Sequence, residues 1–152
     1  MNVLDGRVSN YPPRWNGAPS QELLVIRRNH QTGQVSLDPL RWGLIPWRAK
    51  DAKIGPRCIN AMAETVASKP AFRDPFKRGQ RCIVPVDGFY EWQKRESGNQ
   101  PYAIIGADGE PLALAGLWER WKELGPHWLE TGRRSITSHR RAEPATVRGR
   151  LR

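Results

Sequence analysis

Short stretches of alternating apolar and polar residues, typical of β-strands, recur along most of this 152-residue chain. They are separated by turn signals such as Gly33, Ser97-Gly98-Asn99 and Asp108-Gly109. The pattern therefore predicts strands that are joined largely by antiparallel connections. The predicted strands cover residues 23–27, 35–37, 41–44, 57–60, 81–86, 89–93, 102–105 and 112–117.

Two segments favour helix. Residues 61–68 form one of them, which Pro70 would end, and residues 73–78 form the other, with Pro75 at a position that suits a first helical turn. Few helices among many strands indicate an α+β fold that is predominantly antiparallel β. The length of the chain and its 38% hydrophobic composition allow one core, so we expect a single domain.

The chain is strongly basic, with a formal net charge of +10 and a pI near 10.4. Residues 133–152 contain seven arginines and one glutamate, so +6 of this charge lies in the tail and +4 in the rest. Basic residues interleaved with tryptophans are typical of surfaces that bind single-stranded nucleic acid. An ordinary solvated basic surface has a similar composition, and a generic basic RNA-binding β domain is an alternative.

Several classes of protein are disfavoured. No membrane span of about 18 apolar residues and no export signal is visible, so we expect a cytoplasmic protein. Cys58 and Cys82 have neither C-x-x-C spacing nor a neighbouring His, which argues against zinc and against a redox pair, and we expect both to be buried in strands. We expect no metal, no cofactor and a monomer.

Glu91 is the first candidate for chemistry. It lies among Phe89, Tyr90 and Trp92, directly after Asp87-Gly88, and strand alternation turns it away from the face of Tyr90 and Trp92. A carboxyl group among large aromatic side chains is a candidate for a raised pKa, and it can then act as a general acid and a general base. The alternative is a glutamate on a solvated strand face, paired with Lys94 or Arg95.

Four ordered blocks between residues ~6 and ~124 together resemble the SOS response-associated peptidase family. The resemblance implies an α+β fold with a distorted, barrel-like sheet, and single-stranded DNA with abasic sites as the partner. It also implies covalent DNA–protein crosslinking through a Cys directly after the initiator Met, self-removal of that Met, and lyase-like activity. The blocks are Arg14-Trp15-Asn16-Gly17-Ala18-Pro19, Trp42-Gly43-Leu44-Ile45-Pro46-Trp47, Asn60-Ala61-Met62-Ala63-Glu64-Thr65 and Val86-Asp87-Gly88-Phe89-Tyr90-Glu91-Trp92.

Within these blocks and next to them we select the candidate site residues. Glu91 and Asn60 are the catalytic candidates, and the amide of Asn60 suits contact with a sugar or the DNA backbone, whereas a cap of a helix at Ala61 is the alternative. Met62 stands where the family usually has Arg, so one phosphate or sugar contact is absent. The DNA-binding candidates are Arg14, Asn16, Trp42, Trp47, Arg48 and Trp92.

Both ends differ from the family pattern. The chain begins Met1-Asn2 rather than Met-Cys, and no Ile-His-Asp-Arg-Met-Pro-like motif with its catalytic His follows Trp128, a role that His139 does not fill. We therefore expect a domain over residues 1–131, truncated at both ends, and an Arg-rich tail over 132–152 that is disordered or out of frame. We also expect an unpaired apolar edge near 112–117. The alternative function is a catalytically dead single-stranded DNA-binding remnant.

Overall fold

The computed structural model describes residues 11–29, 31–96, 98–122, 128–137 and 147–150, the last two ranges as backbone. The described residues divide into two compact units. One unit consists of residues 11–84 and 114–137, and the other of residues 85–113 with 147–150.

The first unit contains most of a six-stranded sheet in the order β2-β1-β4-β7-β8-β3. The pairs β1–β2, β1–β4 and β7–β8 are antiparallel, and β8 is parallel to β3 and to β2. The β2–β8 pairing curls the sheet back on itself, which confirms the predicted distorted, barrel-like and mainly antiparallel fold. The strands are β1 (Glu22–Arg28), β2 (Val35–Trp42), β3 (Asn60–Met62), β4 (Arg81–Val86), β7 (Leu112–Lys122) and β8 (Trp128–Thr137).

Short helical segments connect these strands. A 3₁₀ helix, Ala52–Arg57, is capped by Asp51, whose side chain accepts a hydrogen bond from the Lys53 amide. Helix α1, Arg73–Lys77, has Pro75 inside its first turn, as predicted. The predicted helix over 61–68 is wrong, because the chain pairs as β3 up to Met62 and then forms successive turns.

The core of the first unit lies between the sheet and these helical segments. Leu117 projects into it from β7 and is 1% exposed. Ile54 and Phe76, which belong to the 3₁₀ helix and to α1, pack against this cluster. The buried members of the cluster are Leu44, Cys58, Ala61, Val66, Phe72 and Leu117.

The second unit contains a three-stranded sheet in the order β5-β6-β9, formed by β5 (Gly88–Arg95), β6 (Gly98–Ile105) and β9 (Val147–Arg150). The strands β5 and β6 form an antiparallel hairpin in full register, from Gly88 opposite Ile105 to Arg95 opposite Gly98. A Cβ at Gly88 would lie 2.6 Å from the carbonyl oxygen of Ile104, so glycine allows β5 to start this close to β6.

The structure differs from two expectations about the C-terminal part of the chain. The predicted unpaired edge near 112–117 is wrong where β7 pairs with β8, from Gly116 opposite Arg134 to Lys122 opposite Trp128. The predicted boundary after residue 131 falls inside β8. The Arg-rich tail lies partly outside the described residues, and its described backbone, 132–137 and 147–150, belongs to β8 and β9.

Candidate nucleic-acid interface

A tight turn after β2 exposes Trp47. Gly43 has a φ of +129°, and a Cβ there would meet the carbonyl oxygen of Gly55 at 3.0 Å, so only glycine suits this crossing of two backbone segments. The next residues, Leu44 and Ile45, are fully buried. Trp47 follows with 46% of its surface exposed.

Polar contacts hold the Trp47 indole in place. Its Nε1 donates to Asp74 Oδ2 of α1 over 3.4 Å. The Arg48 guanidinium lies 4.5 Å from the ring centroid and that of Arg78 lies 6.0 Å from it. An aromatic ring beside two cations is a combination that suits stacking on a nucleobase and attraction to phosphate.

Glu119 anchors this arrangement from inside the first unit. Only 1% of Glu119 is exposed, and its Oε2 accepts a hydrogen bond from Arg78 Nη2 over 2.5 Å. Burial raises the pKa of the Glu119 carboxyl above its ordinary value, against the opposing effects of the Arg120 amide, Arg78 and Gln80, while the nearby Asp74 adds to the rise. The buried carboxyl group of Glu119 therefore holds the guanidinium of Arg78 next to the Trp47 ring.

Trp47, Arg48 and Glu119 border a pocket of about 680 Å³ in the first unit. Its lining combines apolar side chains with four cations and the acids Asp74 and Glu119. Of the predicted site residues, the structure brings Trp47, Arg48 and Asn60 together here. The lining includes Trp47, Arg48, Ile54, Arg57, Asn60, Lys69, Phe72 and Arg73.

Arg14 and Asn16 lie on a different part of the first unit, in the exposed segment that precedes β1. Arg14 Nη1 donates to Gln21 Oε1 over 3.3 Å, and its guanidinium lies 5.6 Å from the Tyr11 ring centroid. Between Arg14 and Asn16 is Trp15, which is 93% exposed. Sequence reasoning counted Trp15 among the aromatic residues but did not select it, and its exposure adds it to the candidates.

Two predicted roles need correction. Trp42 is 9% exposed and its Nε1 donates to the Ile59 carbonyl over 2.9 Å, so this indole packs in the core and offers little ring surface to a base. The alternative role of Asn60 as a cap of a helix at Ala61 is wrong, because Asn60 is the exposed first residue of β3.

Glu91 and Trp92 lie on β5 in the second unit. Glu91 is exposed and opposite Tyr102 in the hairpin. Tyr90 and Trp92, 47% and 61% exposed, share the other face of the strand as predicted. The exposure of Glu91 agrees with the alternative that the sequence left open, a glutamate on a solvated strand face.

Both cysteines are buried, as predicted. Cys82 lies in β4, whereas Cys58 caps the 3₁₀ helix instead of lying in a strand. Burial raises the pKa of the Cys82 thiol to about 12, against the opposing charge of Arg27.

Comparison with known proteins decides the family. The family model described as SOS response associated peptidase (SRAP) matches residues 2–145. The chain belongs to this family.

Relatives and solved structures agree with that assignment. The abasic site processing protein YobE of Bacillus subtilis is 45% identical over 80% of this chain, and the abasic site processing protein HMCES of Gallus gallus is 38% identical over 64% of it. A crystal structure of a protein from Bordetella bronchiseptica matches with a TM-score of 0.64 and 30% identity, covering 76% of this chain and 56% of that one. The chain spans 54% of YobE and 32% of HMCES.

The described residues provide neither a metal site nor a membrane-spanning helix. Among them, no group of three His, Cys, Asp or Glu side chains is placed to hold a metal ion. No helix in the same part of the chain is long and apolar enough to cross a bilayer.

Proposed function

We propose that this protein binds single-stranded DNA at abasic sites and processes them. Membership of the SRAP family carries the proposal, because relatives with 45% and 38% identity are named abasic site processing proteins. The exposed aromatic residues Trp15, Trp47 and Trp92 support a single-stranded partner, since unpaired bases stack on such rings. The net charge of +10 supports a polyanion.

In this proposal Glu91 transfers protons during the reaction at the abasic sugar. The open form of an abasic sugar has an aldehyde, which condenses with an amine to an imine and releases one water. The imine allows loss of the neighbouring proton and expulsion of the 3′ phosphate by β-elimination. An exposed carboxyl group on a strand can give the proton that removes water as the imine forms, and can then accept the proton lost in the elimination. We assign both transfers to Glu91, with Asn60 as a contact to the sugar. Crosslinking and self-removal of the initiator Met belong to the same family chemistry.

DNA contacts are assigned to Arg14, Asn16 and Arg48 for the backbone, and to Trp47 and Trp92 for the bases. All five side chains are exposed. The arginines supply charge-assisted hydrogen bonds to phosphate, and the indoles supply stacking surfaces.

Borohydride trapping tests the proposal. The protein is incubated with a single-stranded oligonucleotide that carries one abasic site, with and without sodium borohydride, and adducts are measured by mass spectrometry. We expect an adduct that requires borohydride, falls strongly in Glu91→Gln and is unchanged in Cys58→Ser and Cys82→Ser. Glu96→Gln, another exposed glutamate of the second unit, is the matched control. A stable adduct that is lost in Cys58→Ser or Cys82→Ser would contradict the assignment, because an internal thiol would then be the nucleophile.

A binding module without catalysis is the second candidate function. The burial of both cysteines favours it over an enzyme with an internal thiol as nucleophile, because a buried thiol is poorly accessible and the raised pKa keeps Cys82 protonated near neutral pH. Selective binding of abasic single strands without any trapped adduct supports this candidate over the enzyme.

A further inference from the structure

We propose that the pocket beside Trp47 binds one intact nucleotide, with its base against the apolar wall and its phosphate on the basic rim. The inference rests on the proposed function only in taking single-stranded DNA as the source of that nucleotide. It concerns a neighbour of the abasic site, whose sugar has no base to fill such a pocket.

The size and lining of the pocket suit a base. A volume of about 680 Å³ lies within the range of about 300 to 1,000 Å³ in which pockets enclose small ligands. Ile54, Phe72 and the indole of Trp47 provide apolar surface. The exposed guanidinium of Arg48 over Trp47 adds a second planar group on which bases stack in nucleic-acid complexes.

The charges of the lining suit a phosphate. Arg57 and Lys69 are exposed, and neither forms an ion pair with another residue in the described part of the chain. The two acids of the lining already have partners. Asp74 lies 3.6 Å from Arg73 and Glu119 lies 2.5 Å from Arg78, so neither is an unpaired negative charge that would repel an anion.

The wall of the pocket is also fixed before any ligand arrives. Asp74 accepts the indole N–H of Trp47. Arg78 is bound to the buried Glu119 and donates through Nε to the Asp74 carbonyl over 3.4 Å. A stacking surface that is already ordered loses little conformational entropy when a base binds, which favours a specific site over loose contact.

Titration with mononucleotides tests the inference. The full chain is titrated with deoxyadenosine 5′-monophosphate, with glycerol 3-phosphate, which has neither a base nor an aldehyde, and with inorganic phosphate, and amide chemical shifts are followed. We expect binding of the nucleotide with a Kd of about 1 mM, and at least about tenfold weaker binding of both ligands that lack the base. Shifts should cluster in residues 46–60 and 69–75.

Matched variants locate the site. Lys69→Gln should weaken nucleotide binding about tenfold, as expected for the loss of one charge-assisted hydrogen bond. Lys77→Gln removes an exposed lysine of the same unit outside the lining and should leave the Kd unchanged. Trp47→Leu should weaken the binding of the nucleotide but not that of glycerol 3-phosphate.

Three results would overturn the inference: no nucleotide binding, equal binding of all three anions, or an equal loss in Lys69→Gln and Lys77→Gln. The proposed function fails separately. If the protein binds nucleotides but does not bind single strands with abasic sites, the proposed function is refuted and the nucleotide pocket still stands. If it binds abasic sites but not nucleotides, only the proposal of a nucleotide pocket is refuted.

Discussion

At the scale of single residues, Glu119 shows what the sequence can and cannot reveal. Leu117, Glu119 and Trp121 are all buried, because alternate residues of β7 face the core. An acid at a core-facing position of a strand is a signal that could have been found in the sequence. Its pairing with Arg78 could not, since that depends on how β7 packs against the end of α1.

The raised pKa of Glu119 predicts a pH-dependent stability. The folded chain binds this proton more tightly than the unfolded chain, so the contribution is full below the ordinary value of 4.5 and is lost as pH rises above it. The free energy of unfolding of the wild type should therefore decrease relative to Glu119→Gln as pH rises from 4.5, by at most about 1.4 kcal/mol per pH unit.

Urea denaturation of both proteins between pH 4 and 7.5 gives this difference. Glu64→Gln changes an exposed glutamate and controls for the loss of one charge. A difference between wild type and Glu119→Gln that does not change with pH would contradict the prediction.

Cys82 should resist alkylation while the chain is folded. With a pKa of about 12, its thiolate fraction at pH 8 is roughly three orders of magnitude below that of an ordinary cysteine. In the Cys58→Ser background, iodoacetamide at pH 8 should modify Cys82 only in denaturing urea, as followed by mass spectrometry. Rapid modification of the folded protein would show that the thiol is neither buried nor protonated.

At the scale of secondary-structure elements, prediction succeeded where the local pattern and the fold agree. The strand over 81–86 was correct to the residue, and Pro75 marked the start of α1. Prediction failed at 61–68, where residues 61–62 pair with β8 and turns follow, and at 116–117, where β8 pairs with the predicted free edge. Both failures involve one distant strand whose pairing no local pattern encodes. Of the tryptophans selected for DNA binding, Trp47 and Trp92 are exposed and Trp42 is buried, and their roles stay predictions.

The central position of β7 predicts unequal costs of truncation. Leu117, 1% exposed, belongs to the core cluster, whereas Ile83 on the neighbouring β4 is 43% exposed. Leu117→Ala should lower the free energy of unfolding by about 2 to 5 kcal/mol. Ile83→Ala should cost about 1 kcal/mol or less, because a large part of this side chain is already in contact with water. Similar midpoints in urea for the two variants would refute the packing described here.

At the scale of the whole molecule, the net charge of +10 combines with exposed aromatic side chains in both units. Charge alone attracts any polyanion, whereas stacking requires unpaired bases. Binding to single strands should therefore exceed binding to duplex, and both should weaken as salt rises.

The salt dependence of DNA binding should report how many phosphates the protein neutralises. For single strands the slope of log K against log salt is about −0.7 for each phosphate that is neutralised, so Arg48→Gln should flatten it by about 0.7. Lys53→Gln, whose side chain is 91% exposed and lies outside the pocket lining, is the control and should not change the slope. Fluorescence anisotropy over a salt series gives both values. Equal affinity for duplex and single strands at every salt concentration would point to charge attraction alone.

The pairing of β8 with β2, β3 and β7 also governs when this protein can fold during its synthesis. The hairpins β1–β2 and β5–β6 need only neighbouring residues, so each can form as soon as it leaves the ribosome. The curled sheet cannot close until Trp128–Thr137 has emerged, because Arg41 must pair with Thr131. Until then the edge of β7 that pairs with β8 is open in the nascent chain, and a chaperone that shields strand edges would act in this interval.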